Sequence, residues 1–304
     1  MEQLIDVAII GGGPAGLNAA LVLGRARRSV IVIDEERPRN RVTRESHGFL
    51  TRDGMNPGEF RKLAKEQIGA YPSVRFAEDT AVAVSGRDGD FWIGTKTGAM
   101  YRSRKLLFAV GKKDLPIEIN GLAEVYGKSA FVCPYCDGWE MRDQPLVLIA
   151  RGDGAMHSAM LLSGWTNDTV LCTNGPDGLT PGQRAELDRH RIPVFEASIR
   201  AIESTYGIVE CVILQDGITI ACKGIFFTPR LAPGSDLPQT LGCRLTPSGT
   251  VAVDAYGKTN VPGVYSAGDA ATELYQVVTA ASTGALAAIG INGELLEEAW
   301  YGQE

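Results

Sequence analysis

Cys133 and Cys136, separated by Pro134 and Tyr135 and followed by Asp137 and Gly138, carry the densest chemistry in this sequence. A C-x-x-C pair closes to a disulfide or opens to a dithiol with little backbone movement, and its thiolate is the reactive form. A helix starting at or just after Cys133 would stabilise that thiolate through its N-terminal partial positive charge. Pro134 fixes φ and lacks an amide donor, which suits a turn entering a helix. Asp137 stands where a carboxyl can give a proton to, or take one from, a departing sulfur. The blander use of such a pair is half of a structural zinc site, which needs two more ligands. Cys172, Cys211, Cys222 and Cys243 are scattered singly and the three histidines lie far apart. Redox chemistry is therefore the favoured reading, and no metal site is predicted.

A second cluster of chemistry opens the chain. Gly11-Gly12-Gly13-Pro14-Ala15-Gly16 is a G-x-G-x-x-G turn between the apolar run 6–10 and the helical run 17–23, and the next apolar run, 30–33, ends in Asp34. Gly11 permits the tight turn, Gly13 lets backbone approach a pyrophosphate, and Gly16 lets helix and strand pack closely. The helix start offers amides to phosphate, and Asp34 can accept from a ribose hydroxyl. Near the other end, Val264-Tyr265-Ser266-Ala267-Gly268-Asp269 reads as a strand ending in small residues and an acid. That acid is placed for a polyol or ribose; an N-cap role is the alternative, which would not account for the whole stretch.

The elements that position these residues are those of an α/β protein. Residues 6–10, 30–33 and 105–111 read as buried parallel strands, with a helix over about 57–68 and an antiparallel meander over 74–100. The arginine-rich stretch 37–45 reads as a solvated loop, some of whose arginines are alternatively phosphate ligands. His47, in the following loop 46–54, reads as a hydrogen-bonded loop residue, with a proton relay near a cofactor as the alternative. A second strand–turn–helix unit starts at 145–150, with a helix to about Trp165 and a strand over 169–172. Its first turn glycine is replaced by Ala150 beside bulky Arg151, and Thr173-Asn174-Gly175-Pro176 follow the second strand. No acid for a ribose diol and no arginine cluster for a 2′-phosphate stand there. A strand over 225–228 and the Pro/Gly-rich stretch 228–238 read as the exit from this unit.

Composition bounds the function. The chain has 304 residues, 44% hydrophobic and 22% charged, with a net charge of -6. That is enough for two globular domains, and it offers no basic field for nucleic acid or an anionic membrane. The start of the chain lacks the basic and apolar regions of a signal peptide, and no apolar run has the length of a membrane span. Free cysteines without a secretory signal predict a cytoplasmic setting.

Taken together, Gly11–Gly16, Cys133–Gly138 and Thr259–Asp269 resemble the low-molecular-weight thioredoxin reductase-type flavoproteins, along nearly the whole chain. The resemblance implies two Rossmann-like domains of the three-layer ββα type. An FAD domain would comprise residues 1–115 and 240–304, and a pyridine-nucleotide-type domain carrying the C-x-x-C pair would comprise 116–239. It also implies a homodimer and a thioredoxin-like protein or small dithiol or disulfide as partner. On this resemblance Gly11, Gly13, Pro14, Ala15, Gly16 and Asp34 hold the ADP half of FAD. Gly111, Gly268, Asp269, Gln276 and Val277 hold the rest, with Asp269 on the ribityl chain and Gln276 near the ring. Cys136 would be the sulfur nearest the flavin, Cys133 the one that exchanges with substrate, and Asp137 the acid/base. The altered turn at 150–155 departs from the NADPH-using members and predicts poor use of NADPH. It resembles the branch of dithiol oxidases related to the gliotoxin and holomycin enzymes, and it also suits relatives that take electrons from a ferredoxin-type donor. The alternatives are an NADPH-dependent thioredoxin reductase and a flavin redox sensor without turnover.

Overall fold

The computed structural model describes residues 4–115 and 118–302. The predicted domain boundary at residue 116 lies outside the described residues. The chain divides into two compact units. One comprises residues up to 41, 48–113 and 231 onward; the other comprises 42–47 and 114–230.

The first unit is built on a seven-stranded sheet. Its opening elements are β1 (Leu4–Ile10), α1 (Pro14–Arg25), β2 (Val30–Asp34) and α2 (Pro57–Ile68). They are followed by β3 (Val74–Glu78), β4 (Ala81–Arg87), β5 (Asp90–Thr95) and β6 (Met100–Phe108). The sheet order is β3-β2-β1-β6-β5-β4, and the late strand Val264–Ser266 also pairs with β6. Residues 7–10 of β1 and 30–33 of β2 are apolar on both faces and buried, as parallel strands covered on both sides must be. The expected meander is corrected here: β3 runs parallel to β2, with Asp34 opposite Glu78, and only β4, β5 and β6 are antiparallel neighbours. β3 is a largely exposed edge strand, so its residues carry a polar alternation that imitates a meander.

The register decides where chemistry can happen. Ile10 is opposite Ile33 and Phe108, and Phe108 is opposite Ser266. The carboxyl ends of four parallel strands thus lie level, and the residues just past that level are Gly11, Asp34, Ala109 and Ala267. In open α/β sheets this edge is where ligands bind. α1 covers one face and packs against the long helix Val277–Tyr301 through small residues. A Cβ on Gly284 would fall 2.1 Å from the carbonyl oxygen of Ala15, so only glycine permits this approach. Leu17, Leu23 and Ile9 are fully buried in the same cluster, each worth about 1.5–3 kcal/mol.

The second unit repeats the plan on a smaller scale. β7 (Ala130–Phe131) enters α3 (Pro134–Asp137), and β8 (Leu146–Ile149), α4 (Gly152–Leu162) and β9 (Thr169–Cys172) form a strand–helix–strand unit. The short strand Val194–Phe195, then β9, β8, the strand Gly224–Phe227 and β7 make a five-stranded parallel sheet. A three-stranded antiparallel sheet, residues 199–221, completes the unit. The architecture is thus two Rossmann-like α/β units. No helix among the described residues is long and apolar enough to cross a membrane.

Candidate active site

In the first unit the glycine turn is held in a conformation that only its residues allow. Gly11 has φ +107, and a Cβ there would lie 2.3 Å from the carbonyl oxygen of Ala109. A Cβ on Gly16 would lie 1.9 Å from the carbonyl oxygen of Gly11. Gly13 is different: nothing lies within 4 Å of its Cβ position. It is also the N-cap of α1, with no side-chain cap and no acid in the first turn. The helix start therefore presents amides and positive partial charge beside open backbone, which fits a dinucleotide pyrophosphate. Gly111, φ +63, likewise has open space around its Cβ position.

Asp34 lies beside this turn, but it is not isolated. Its Oδ1 accepts from the Gly12 amide at 2.9 Å. Its Oδ2 is paired with Arg61, a buried guanidinium on α2 whose Nε also donates to the Gly12 carbonyl at 3.2 Å. Arg61 escaped the sequence reading, although a charge among Pro57 and Ile68 on the buried face of α2 was its signal. A cleft of about 250 Å³ opens next to Asp34, lined by Val32, Glu36, Lys65, Phe76, Ala77 and Glu78. Its size and position fit the nucleoside end of a dinucleotide.

Across the same sheet edge, Gly268 (φ +67) sits where a Cβ would meet the Ala15 methyl at 2.8 Å. Asp269 follows in a short 3₁₀ turn and is half-buried. Burial pushes its carboxyl up to about 6, against the pull of the Arg39 and Lys112 cations. Arg39 lies over the Tyr275 ring, 5.7 Å from its centre, so one arginine of the predicted solvated loop serves the site edge. Gln276 is the N-cap of the long C-terminal helix and Val277 its first residue, and the helix start has no side-chain cap. The glycine turn, Asp34, Gly111, Gly268 and Asp269 thus gather at one edge, a donor and acceptor set that fits FAD.

In the second unit, β7 delivers Cys133 in extended conformation as the N-cap of α3. The amides of Cys136 and Asp137 both donate to the Cys133 carbonyl, at 3.0 and 3.1 Å, which brings the two sulfurs to 2.7 Å. The helix predicted here is a single turn, so local amides rather than a macrodipole shape the sulfur environment. A Cβ on Gly138 would strike the Pro134 carbonyl at 2.4 Å and the Trp165 ring at 2.9 Å, so the residue after Asp137 must be glycine. Tyr135 stands edge-on to Trp165 with centroids 5.6 Å apart. Tyr135 and Trp139 are each 65% exposed, an apolar rim beside the sulfurs.

Asp137 is the most perturbed carboxyl in this unit. Burial, then repulsion from Cys133 and Glu140, pushes it up to about 7, with His47 pulling the other way. A group with that proton affinity serves as acid and as base near neutrality. The lone cysteines behave differently: burial pushes Cys172 and Cys222 up to about 12, where they are unreactive thiols.

The second glycine turn is filled by its own chain. Arg151, the N-cap of α4, donates from Nε to the Thr173 carbonyl. Its guanidinium lies 2.9 Å from where a Cβ on Gly175 would be. The Gly152 amide donates to the Asp177 carbonyl at 2.7 Å, and Asp153 accepts from Gln183 at 2.8 Å.

Three comparisons agree with this geometry. The profile of the pyridine nucleotide-disulphide oxidoreductase family matches residues 5–285. The chain is 31% identical to the thioredoxin reductase aclD of Aspergillus oryzae, over 96% of each chain. Among solved structures it resembles HlmI, with a TM-score of 0.94 and 33% identity over 99% of this chain and 96% of that one. It also resembles an oxidoreductase from Agrobacterium tumefaciens, with a TM-score of 0.89 and 36% identity over 97% and 99%.

Proposed function

The chain belongs to the pyridine nucleotide-disulphide oxidoreductase family as a thioredoxin reductase-like enzyme of the flavin-dependent class, and from that premise we propose that it oxidises dithiols through Cys133 and Cys136 without efficient use of NADPH. One contrast supports this reading. The Cys133–Cys136–Asp137 turn is intact, while the glycine turn that would receive a nicotinamide nucleotide is bridged by Arg151.

In this reaction the Cys133–Cys136 disulfide is the oxidised starting form. A substrate thiolate attacks Cys133 Sγ; the S–S bond breaks, and Cys136 leaves with the electron pair and takes a proton from Asp137. The second substrate thiol, its proton taken by the Asp137 carboxylate, attacks the substrate sulfur of the mixed disulfide and releases Cys133. The substrate departs as a disulfide, and the enzyme holds two electrons as a dithiol. FAD, when bound at the Gly11–Gly16 turn and the Asp269 edge, supplies the acceptor for those electrons and passes them on. Exposed Tyr135 and Trp139 offer an apolar rim to the substrate. A homodimer and a cytoplasmic setting belong to the same proposal.

The test is anaerobic mixing of the flavin-loaded protein with dithiothreitol, NADPH and NADH in parallel, followed at the visible flavin band. Bleaching by the dithiol and return of colour with air are expected. Rapid bleaching by micromolar NADPH would overturn the proposal in favour of the reductase activity that the name of the Aspergillus relative carries.

A further inference from the structure

We propose that His47 and Glu140 form a positioning pair that sets the proton affinity of Asp137 during thiol exchange; this rests on the reading of Asp137 as the acid/base of the Cys133–Cys136 pair. The segment Val42–His47 lies, in sequence, between two pieces of the first unit, yet it packs within the second. The approach is close: a Cβ on Gly127 would fall 2.3 Å from the Val42 carbonyl oxygen. Six residues are thereby diverted onto the dithiol unit, and the last of them is His47.

The imidazole is 17% exposed, and its Nε2 lies 3.7 Å from Glu140 Oε1 and 3.7 Å from Glu45 Oε2. Glu140 comes three residues after Asp137, one turn further along the chain. The titratable groups acting on Asp137 are therefore Cys133, one of the exchanging sulfurs, Glu140 on its own turn and His47 from the diverted segment. Cys136 is its chain neighbour; Glu45 acts through the imidazole; and Arg142 is taken up by the Trp139 ring at 4.0 Å. Two of these groups oppose each other. The Glu140 carboxylate disfavours a second negative charge on Asp137, and an imidazolium at His47 favours it. At a separation of 3.7 Å the Glu140 carboxylate and a protonated His47 imidazole offset one another, so the field at Asp137 depends on both being present.

The test uses pre-reduced, flavin-loaded full-length protein and measures the rate of iodoacetamide labelling of Cys133 against pH, with the labelled site identified by mass spectrometry. Asp137 titration appears as an inflection near neutrality that Asp137→Asn removes. His47→Gln should move the inflection up by about one pH unit and Glu140→Gln should move it down by a similar amount. The double variant should return it near the starting value. A merely structural role for His47 would lower stability and leave the inflection in place. Inflections unmoved in both single variants, with Asp137→Asn still removing the inflection, overturn the pairing alone. An inflection that survives Asp137→Asn overturns the role of Asp137 itself. Should His47→Gln fail to fold, Glu140→Gln, at an exposed position, decides by the same readout.

Discussion

At the scale of single residues, the site works by placing charge where the fold makes it costly. Asp137 is the clearest case, since burial, reinforced by repulsion from Cys133 and Glu140, raises its proton affinity to about 7. Asp137→Asn keeps the shape and removes the proton transfer. Its thiol–disulfide exchange should slow by about 10²-fold, the lower range for a general acid–base group, with flavin content unchanged. Stopped-flow exchange against dithiothreitol checks this, and a loss under threefold would discard the role. Arg61 is the counterpart in the first unit. It neutralises Asp34 and anchors the Gly12 carbonyl, so Arg61→Met leaves a carboxylate uncompensated beside the glycine turn. FAD affinity should fall by about 10- to 100-fold, corresponding to roughly 1.5–3 kcal/mol for a lost charged hydrogen bond. Flavin fluorescence titration measures it, and an unchanged affinity would separate Arg61 from the cofactor.

At the scale of elements, the long C-terminal helix is tied to the sheet by a second device besides its small residues. Lys105 on β6 is fully buried, and its ammonium lies 2.7 Å from Asp88 and 3.1 Å from Glu294 and is paired with Glu298. Among the described residues these three carboxylates are the one acidic group tight enough for a metal ion, and Lys105 takes that place. Lys105→Met would leave them facing one another. Breaking a buried cluster costs about 3–5 kcal/mol, and partial exposure of the carboxylates reduces this to about 2–3 kcal/mol. A denaturant midpoint shift below about 0.5 kcal/mol would refute the clamp. None of this was legible beforehand, because Lys105 in sequence is one charge at the start of an apolar strand. The glycine turns and the C-x-x-C pair were legible because each needs a residue type that few other conformations demand. The parallel strand β3, the diverted segment Val42–His47 and the inward Arg61 were not. Their positions are fixed by packing partners more than 20 residues away, and their own composition reads as polar surface. At Arg151 a bulky residue in a glycine turn was legible in the sequence, but only the geometry showed the side chain bridging to Thr173.

At the scale of the whole molecule, the two raised carboxyls make stability depend on pH in an unusual sense. Asp137 at about 7 and Asp269 at about 6 both bind protons more tightly in the folded chain than in the unfolded one, where 3.8 is the ordinary value. Well below pH 3.8 both are protonated in either state and their contribution is fully present. As pH rises through 6 and then 7, the folded chain must carry buried negative charge that the unfolded chain carries in water, and the contribution is lost. Each unit of difference corresponds to 1.36 kcal/mol; allowing for partial solvent access, the combined loss is about 2–4 kcal/mol. Glu36 and Glu294, held low by Lys65 and by Lys258 and Lys105, act oppositely, but their contribution is lost only as pH falls through the usual carboxylate range. The net charge of -6 adds self-repulsion in the same direction as the raised pair. Flavin-free protein should therefore unfold at a higher urea concentration at pH 5.5 than at pH 8, with Asp137→Asn and Asp269→Asn each reducing the difference. Stability that is flat or rises over this interval would mean that neither carboxyl is held by burial. It would also remove the reason for placing Asp137 at the balance point between acid and base.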